Sequence, residues 1–243
     1  MKSRDLALNA PPDAVAFAAS EARAEFIRKT YSHLLVAICA FVALSAVLLK
    51  LPVTERLIGT MMGGRMSWLL VLVAFMVVSH VANKWAQSAA SPGKQYLGLG
   101  LFVVAETVIF LPLLYIATSY VQFTGQHVLQ NAAIITLGTF SGLTAVVFLS
   151  GKDFSFLGGL LKVAGLVAIL FIVGSLIFGF SLGLVFSSAM ALFAAGSVLY
   201  TTSNVLHHYR PGMHVAASLA LFAGIALMFW YILQILMSLT GRD

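Results

Sequence analysis

Of the eight carboxylate side chains in this chain of 243 residues, only Glu106 lies deep inside an apolar run. An ionised carboxylate at mid-bilayer costs on the order of 3 kcal/mol or more, so such a group is a functional candidate by default. It can face a cavity, pair with a cation, or stay protonated and hydrogen-bond across helices. In the first two settings it can carry protons or cations. His80, near the end of an earlier apolar run, is the partner the sequence offers. A second group of polar residues, Asn204, His207 and His208, closes a later run. Asn204 and His208 are four apart and share a helix face. Two imidazoles at a membrane edge can sense pH, or simply mark the interface. Asp153 and Ser155 stand where they can cap a helix that begins just after them.

Catalytic motifs are missing. The chain has no HExxH, CxxC, GxSxG or GxxxxGK[ST], and Gly151-Lys152 lacks the upstream glycine of a phosphate loop. No nucleophile stands with a base, so no enzyme is expected. One cysteine, Cys39, allows no intrachain disulfide and no metal cluster, and is expected to be buried packing. No metal or cofactor is therefore expected. The net charge of +6 is spread through loops instead of gathered on one face, which argues against nucleic-acid binding.

The elements that must position these residues are membrane spans. The chain is 60% hydrophobic and 9% charged, with a mean hydropathy of +1.00, which excludes an ordinary soluble domain. Residues 163–209 contain no Lys, Arg, Asp or Glu. A span needs about 20 apolar residues, so that block holds two. Seven apolar segments are expected, at 31–50, 67–83, 96–119, 128–150, 157–179, 183–206 and 215–239. Without the alternation of barrel strands, they read as helices. The expected fold is an all-α, polytopic bundle of seven transmembrane helices over 31–243, after a polar tail at 1–30. Pro11 and Pro12 break any helix in that tail, its first part is expected to be disordered, and residues 14–29 are expected to form a surface helix. A tight turn is expected at residues 179–183. Gly138 with Gly142, and Ser187, Ala191 and Ala195, have spacings that let helices approach closely. Ten Lys and Arg fall on the side of the N-terminus and four on the other, which places the N-terminus in the cytoplasm and the C-terminus outside.

Several stretches resemble the Bax inhibitor family of seven-helix membrane proteins, and its bacterial YccA-like branch in particular. They are Phe26-Ile27-Arg28-Lys29-Thr30-Tyr31, Ala82-Asn83-Lys84, Lys152-Asp153-Phe154-Ser155-Phe156-Leu157-Gly158-Gly159 and Thr202-Ser203-Asn204-Val205-Leu206-His207, with Gly241-Arg242-Asp243 closing the chain. The resemblance covers about residues 24–243 and implies one of two activities. One is a pH-sensitive calcium leak governed by two aspartates on the last two helices. The other is binding and restraint of an FtsH-type membrane-anchored, ATP-dependent protease. The aspartate positions fall at Thr201 and near Gly224, so both acids are missing here. A shared-proton latch or an oxygen cage for calcium needs two close carboxylates, which argues against the leak by the family's mechanism.

Three readings follow. The first is a regulator in the inner (plasma) membrane that binds the FtsH-type protease through its cytoplasmic tail. The second is a cation or proton leak that uses Glu106. The third is a bundle serving stress-related membrane homeostasis without transport.

Overall fold

The computed structural model describes residues 11, 13–88 and 91–241, with the backbone alone at 120–124. Among the described residues eight α-helices follow one another: α1 Ser20–Leu48, α2 Pro52–Met61, α3 Arg65–Ala86, α4 Pro92–Thr124, α5 Val128–Ser150, α6 Leu157–Phe178, α7 Gly183–His207 and α8 His214–Thr240. Single 3₁₀ turns stand at Val15–Phe17 and Pro211–Met213. All but α2 are long and apolar enough to cross a membrane, giving the seven expected spans. Among the described residues there is no strand.

Two departures from expectation have local causes. Helix α1 starts at Ser20, so the expected break at residue 30 lies inside it. Residues 20–30 are rich in strong helix formers and hold neither Gly nor Pro. Glu25 and Lys29 pair at 2.7 Å one turn apart, while Phe26 and Thr30 are buried against the bundle. No separate surface helix forms over 14–29, because Ala18 and Ala19 are extended. The expected disorder falls on residues 1–10, outside the described residues. The second departure is α2, a short helix where a loop was expected. Pro52 sits in its first turn, and Thr54, Ile58 and Met61 form a buried stripe. At about 15 Å it is too short to span.

The last helix organises the bundle. Helix α8 packs against α1, α4, α5 and α7 and is buried on most sides. Aromatic rings lock this centre. Phe41 of α1 meets Phe110 of α4 edge-on at 5.2 Å, Phe102 of α4 meets Phe222 of α8 at 6.1 Å, and Phe110 meets Trp230 at 4.8 Å. Helices α3 and α6 lie at the outside. Leu70, Met76, Leu166 and Leu170 are exposed on them, as befits side chains whose solvent is acyl chain. Cys39 is also exposed, against the expectation of a buried thiol, because it falls on the outer face of α1.

Small residues act elsewhere than the spacing suggested. Gly138 and Gly142 are exposed, and a Cβ at either would touch nothing within 4 Å. On α7 the inward face runs through Ser187, Met190, Ala194, Val198, Thr202 and Val205, while Ala191 and Ala195 are only partly covered. Among the described glycines the tightest site is Gly98 of α4, where a Cβ would lie 2.5 Å from the Ala82 carbonyl oxygen of α3. The turn between α6 and α7 forms as expected, with Gly179 at φ +79° and Gly183 at φ +64°.

Gly98→Ala is expected to destabilise the bundle by about 1–3 kcal/mol through overpacking. Gly100→Ala, on the same helix with open space at its Cβ, should be neutral. Thermal unfolding of the two purified variants in detergent checks this.

Candidate functional site

Seven crossings put the two ends of the chain on opposite faces of the bundle, here the N-terminal and C-terminal faces. A cavity of about 930 Å³ occupies the half nearer the C-terminal face. Its walls are residues 68–79 of α3, 102–113 of α4, 169–173 of α6, 182–187 at the start of α7 and 223–238 of α8. Aromatic and aliphatic side chains dominate, as expected between spans. The polar members are Ser79, Glu106, Tyr231, Ser187, Gln234 and Ser238, and neither Lys nor Arg lines it.

Glu106 sits about 21 Å along α4 from Pro92, which is mid-membrane. It is 7% exposed, and what exposure it has is to the cavity. Among the described residues it has neither a hydrogen-bond partner nor an ion-pair partner. One helical turn toward the N-terminal face, Phe102 packs on Phe222 and closes the floor. Across the cavity the Ser187 hydroxyl lies 3.0 Å from Gln234 Oε1 and 3.2 Å from the Gly183 carbonyl, so its one proton serves one acceptor at a time. The expected pairing of Glu106 with His80 does not occur. His80 is exposed on α3, and its neighbour Ser79 faces the cavity instead, because one residue along a helix turns the side chain by about 100°. The Ser79 hydroxyl is itself buried without a partner.

A second polar assembly lies at the N-terminal face, where α7 ends. Asp153 does not cap α6, since that helix has Phe156 at its N-cap and no side-chain cap. Its Oδ1 instead accepts the Ser155 N–H at 2.8 Å and the Ser203 hydroxyl at 3.1 Å, while Oδ2 lies 3.0 Å from His208 Nε2. Ser203 Oγ in turn accepts the Phe154 N–H at 2.8 Å. His207 Nδ1 lies 3.0 Å from the Ser203 carbonyl, which can only accept, so that nitrogen carries the proton. These contacts staple the α5–α6 loop to the end of α7. Burial alone would push the Asp153 carboxyl up, but the Ser155 N–H and His208 outweigh it and hold the group below its ordinary value of 3.8.

Asn204 stands outside this network, because its side chain makes no hydrogen bond among the described residues. Only its carbonyl takes part, accepting the N–H groups of His208 at 2.8 Å and Tyr209 at 3.0 Å. Ser203, which the sequence showed only as part of a motif, makes the hydrogen bond to Asp153. The available signal was its four-residue spacing from His207. Just beyond, Asp13 pairs with Arg210 at 2.8 Å and the Val15 N–H donates to the Tyr209 carbonyl at 2.8 Å, which ties the start of the described chain to the α7–α8 loop.

At the two acid positions that the family resemblance implied, Thr201 is half-buried on α7 and Gly224 is buried on α8. A Cβ at Gly224 would lie 3.1 Å from Val198 Cγ2, so the two helices close on the space that an acid would need. Among the described residues no three His, Cys, Asp or Glu side chains could share a metal ion.

The family described as Inhibitor of apoptosis-promoting Bax1 has a model that matches residues 23–241. The chain belongs to the Bax inhibitor family. Bax inhibitor 1 of Schizosaccharomyces pombe is 33% identical over 181 residues, covering 72% of this chain and 64% of that protein. The Golgi anti-apoptotic protein of vaccinia virus strain Lister is 28% identical over 224 residues, covering 91% of this chain and 89% of the viral one. Protein Lifeguard 4 of Arabidopsis thaliana is 26% identical over 220 residues, covering 88% and 85%. This Bax inhibitor family member has seven helices that can span a membrane, with Glu106 inside one and Asp153 in the α5–α6 loop.

Because Asp153 titrates lower in the folded protein than in the unfolded chain, its contribution to stability is full above about pH 4 and is lost as the pH falls through the depressed value. The unfolding temperature is expected to drop on acidification below about pH 4. Asp153→Asn should show a smaller drop, measured by thermal melts across pH in detergent.

Proposed function

We propose that this Bax inhibitor family protein is a membrane regulator that leaks protons through the cavity at Glu106. The observation that carries the reading is a buried, unpartnered carboxyl at mid-membrane, open to a large cavity in one half of the bundle. A carboxyl so placed can take a proton from the C-terminal face and hold it neutral in a medium that penalises charge. The Phe102–Phe222 pair separates it from the N-terminal face, so passage requires that floor to part. The floor is then the gate, and the resting leak is small. Calcium suits the site less well, since that ion takes about six to eight oxygen ligands and the cavity offers one carboxylate.

A second reading is the FtsH-type protease regulator of the YccA-like branch. It draws support from the contacts of Asp13 and Val15 with the α7–α8 loop, which root the N-terminal tail at the N-terminal face. The excess of Lys and Arg on that side favours a cytoplasmic N-terminus in a plasma membrane. A protease that pulled on the tail would have to break those contacts first.

Proton flux into proteoliposomes under a pH gradient tests the leak. The parent protein is expected to dissipate the gradient faster than empty vesicles, and Glu106→Gln should fall to the rate of empty vesicles. Equal flux in parent and variant, or no flux in the parent, would overturn the leak. Shortened cellular lifetime of an Asp13→Ala, Arg210→Ala variant only in cells that contain the protease would favour the second reading.

A further inference from the structure

We infer that the cavity is a binding site for a lipophilic amine, a molecule with one ammonium group on an apolar body, whose nitrogen pairs with Glu106. The inference rests on the same carboxyl and cavity as the proposed leak but requires no conduction. Size is the first argument. A cavity of about 930 Å³ is far larger than a proton relay needs and matches the upper range of small-molecule sites, about 300–1,000 Å³.

Chemistry is the second argument. The walls are mainly apolar, and Phe110, Trp230 and Tyr231 are among them, so the lining is partly aromatic, a surface that suits a cation better than aliphatic chain does. Against that lining stands one carboxyl, buried and without a partner among the described residues. In hydrocarbon a lone charge is penalised, whereas a carboxylate–ammonium pair is neutral overall. The same pair results whether the proton starts on the acid or on the amine. A fatty acid would bring a second carboxylate against Glu106. A phospholipid headgroup would bring a phosphate, for which the lining has neither Lys nor Arg. A metal ion would find too few oxygens. An apolar body with a single cationic end meets the apolar walls and Glu106 together.

Access is the third argument. Val73 and Met76 of α3 and Ile169 of α6 line the cavity and are also exposed, at 49%, 55% and 44%. The wall between α3 and α6 is therefore thin, and a solute dissolved in the bilayer can enter from the side.

The test uses the full chain in phosphatidylcholine nanodiscs with dodecylamine bearing a mid-chain diazirine, compared with the matching dodecanol probe. After photolysis, labelled peptides are mapped by mass spectrometry. The amine is expected to label α3, α4 and α8 saturably, and the alcohol only weakly. Glu106→Gln should weaken amine labelling by about thirtyfold or more, as expected when one partner of a buried charge pair is removed. Equal labelling by amine and alcohol, or unchanged amine labelling of Glu106→Gln, would overturn the site. If Glu106→Gln does not fold, Ala223→Phe keeps the carboxyl and narrows the cavity; it should lose the labelling, and full retention would overturn the site. Labelling is read at equilibrium without a gradient. Amine binding without proton flux would sink the leak alone, and flux without amine binding would sink this site alone.

Discussion

The hydrocarbon core of a bilayer has no water with which to satisfy a polar group, and each feature of this protein follows from that lack. Backbone N–H and C=O groups must pair within their own segment, so the spans are helices. Side chains face the opposite rule from that of a soluble protein. Leu70, Leu166 and Leu170 point outward because lipid is as good a solvent for them as the core. Cohesion then has to come from close packing and ring contacts around α8, since burial of apolar surface gains little against lipid. The Gly98 contact with Ala82 and the edge-on rings of Phe41, Phe110 and Trp230 are that cohesion in detail.

The same lack gives Glu106 its meaning. A carboxyl in this medium is tolerated where it pairs or where it reaches a cavity, and here it reaches a cavity. Helices α4 and α8 meet through Phe102 and Phe222, and the cavity lies beyond that contact, walled by α3, α4, α6, α7 and α8. The floor is aromatic, so Glu106 meets the cavity on the C-terminal side of the Phe102–Phe222 contact.

At the N-terminal face, where water returns, polar chemistry becomes cheap and is used for anchoring. Asp153, Ser203 and His208 join a loop to a helix end, and Asp13 with Arg210 joins the start of the described chain to the next loop. This member of the Bax inhibitor family thus keeps its described carboxylate contacts at the rim and leaves one carboxyl in the middle. The α7–α8 contact at Val198 and Gly224 fills the place where the resemblance implied an acid.

The amino-acid sequence by itself determined the membrane class, the seven spans and the isolation of Glu106, because hydropathy and charge are properties of composition that need no neighbours. It also carried the family, through short motifs that survive without coordinates. The extent of α1 was legible only in part, since the polar residues 20–30 read as a tail until Phe26 and Thr30 are seen to pack on the bundle. The partners were not legible. Whether His80 or Ser79 faces Glu106 depends on helix rotation, which the near-uniform hydrophobicity of α3 does not encode. That Ser203 meets Asp153 depends on how a loop fifty residues earlier folds back. Gly138 and Gly142 have the right spacing and face lipid, while Gly98 has no such motif and is the most tightly packed of the described glycines. Those outcomes, and the cavity itself, belong to the tertiary structure, because they depend on which faces of different helices are brought together.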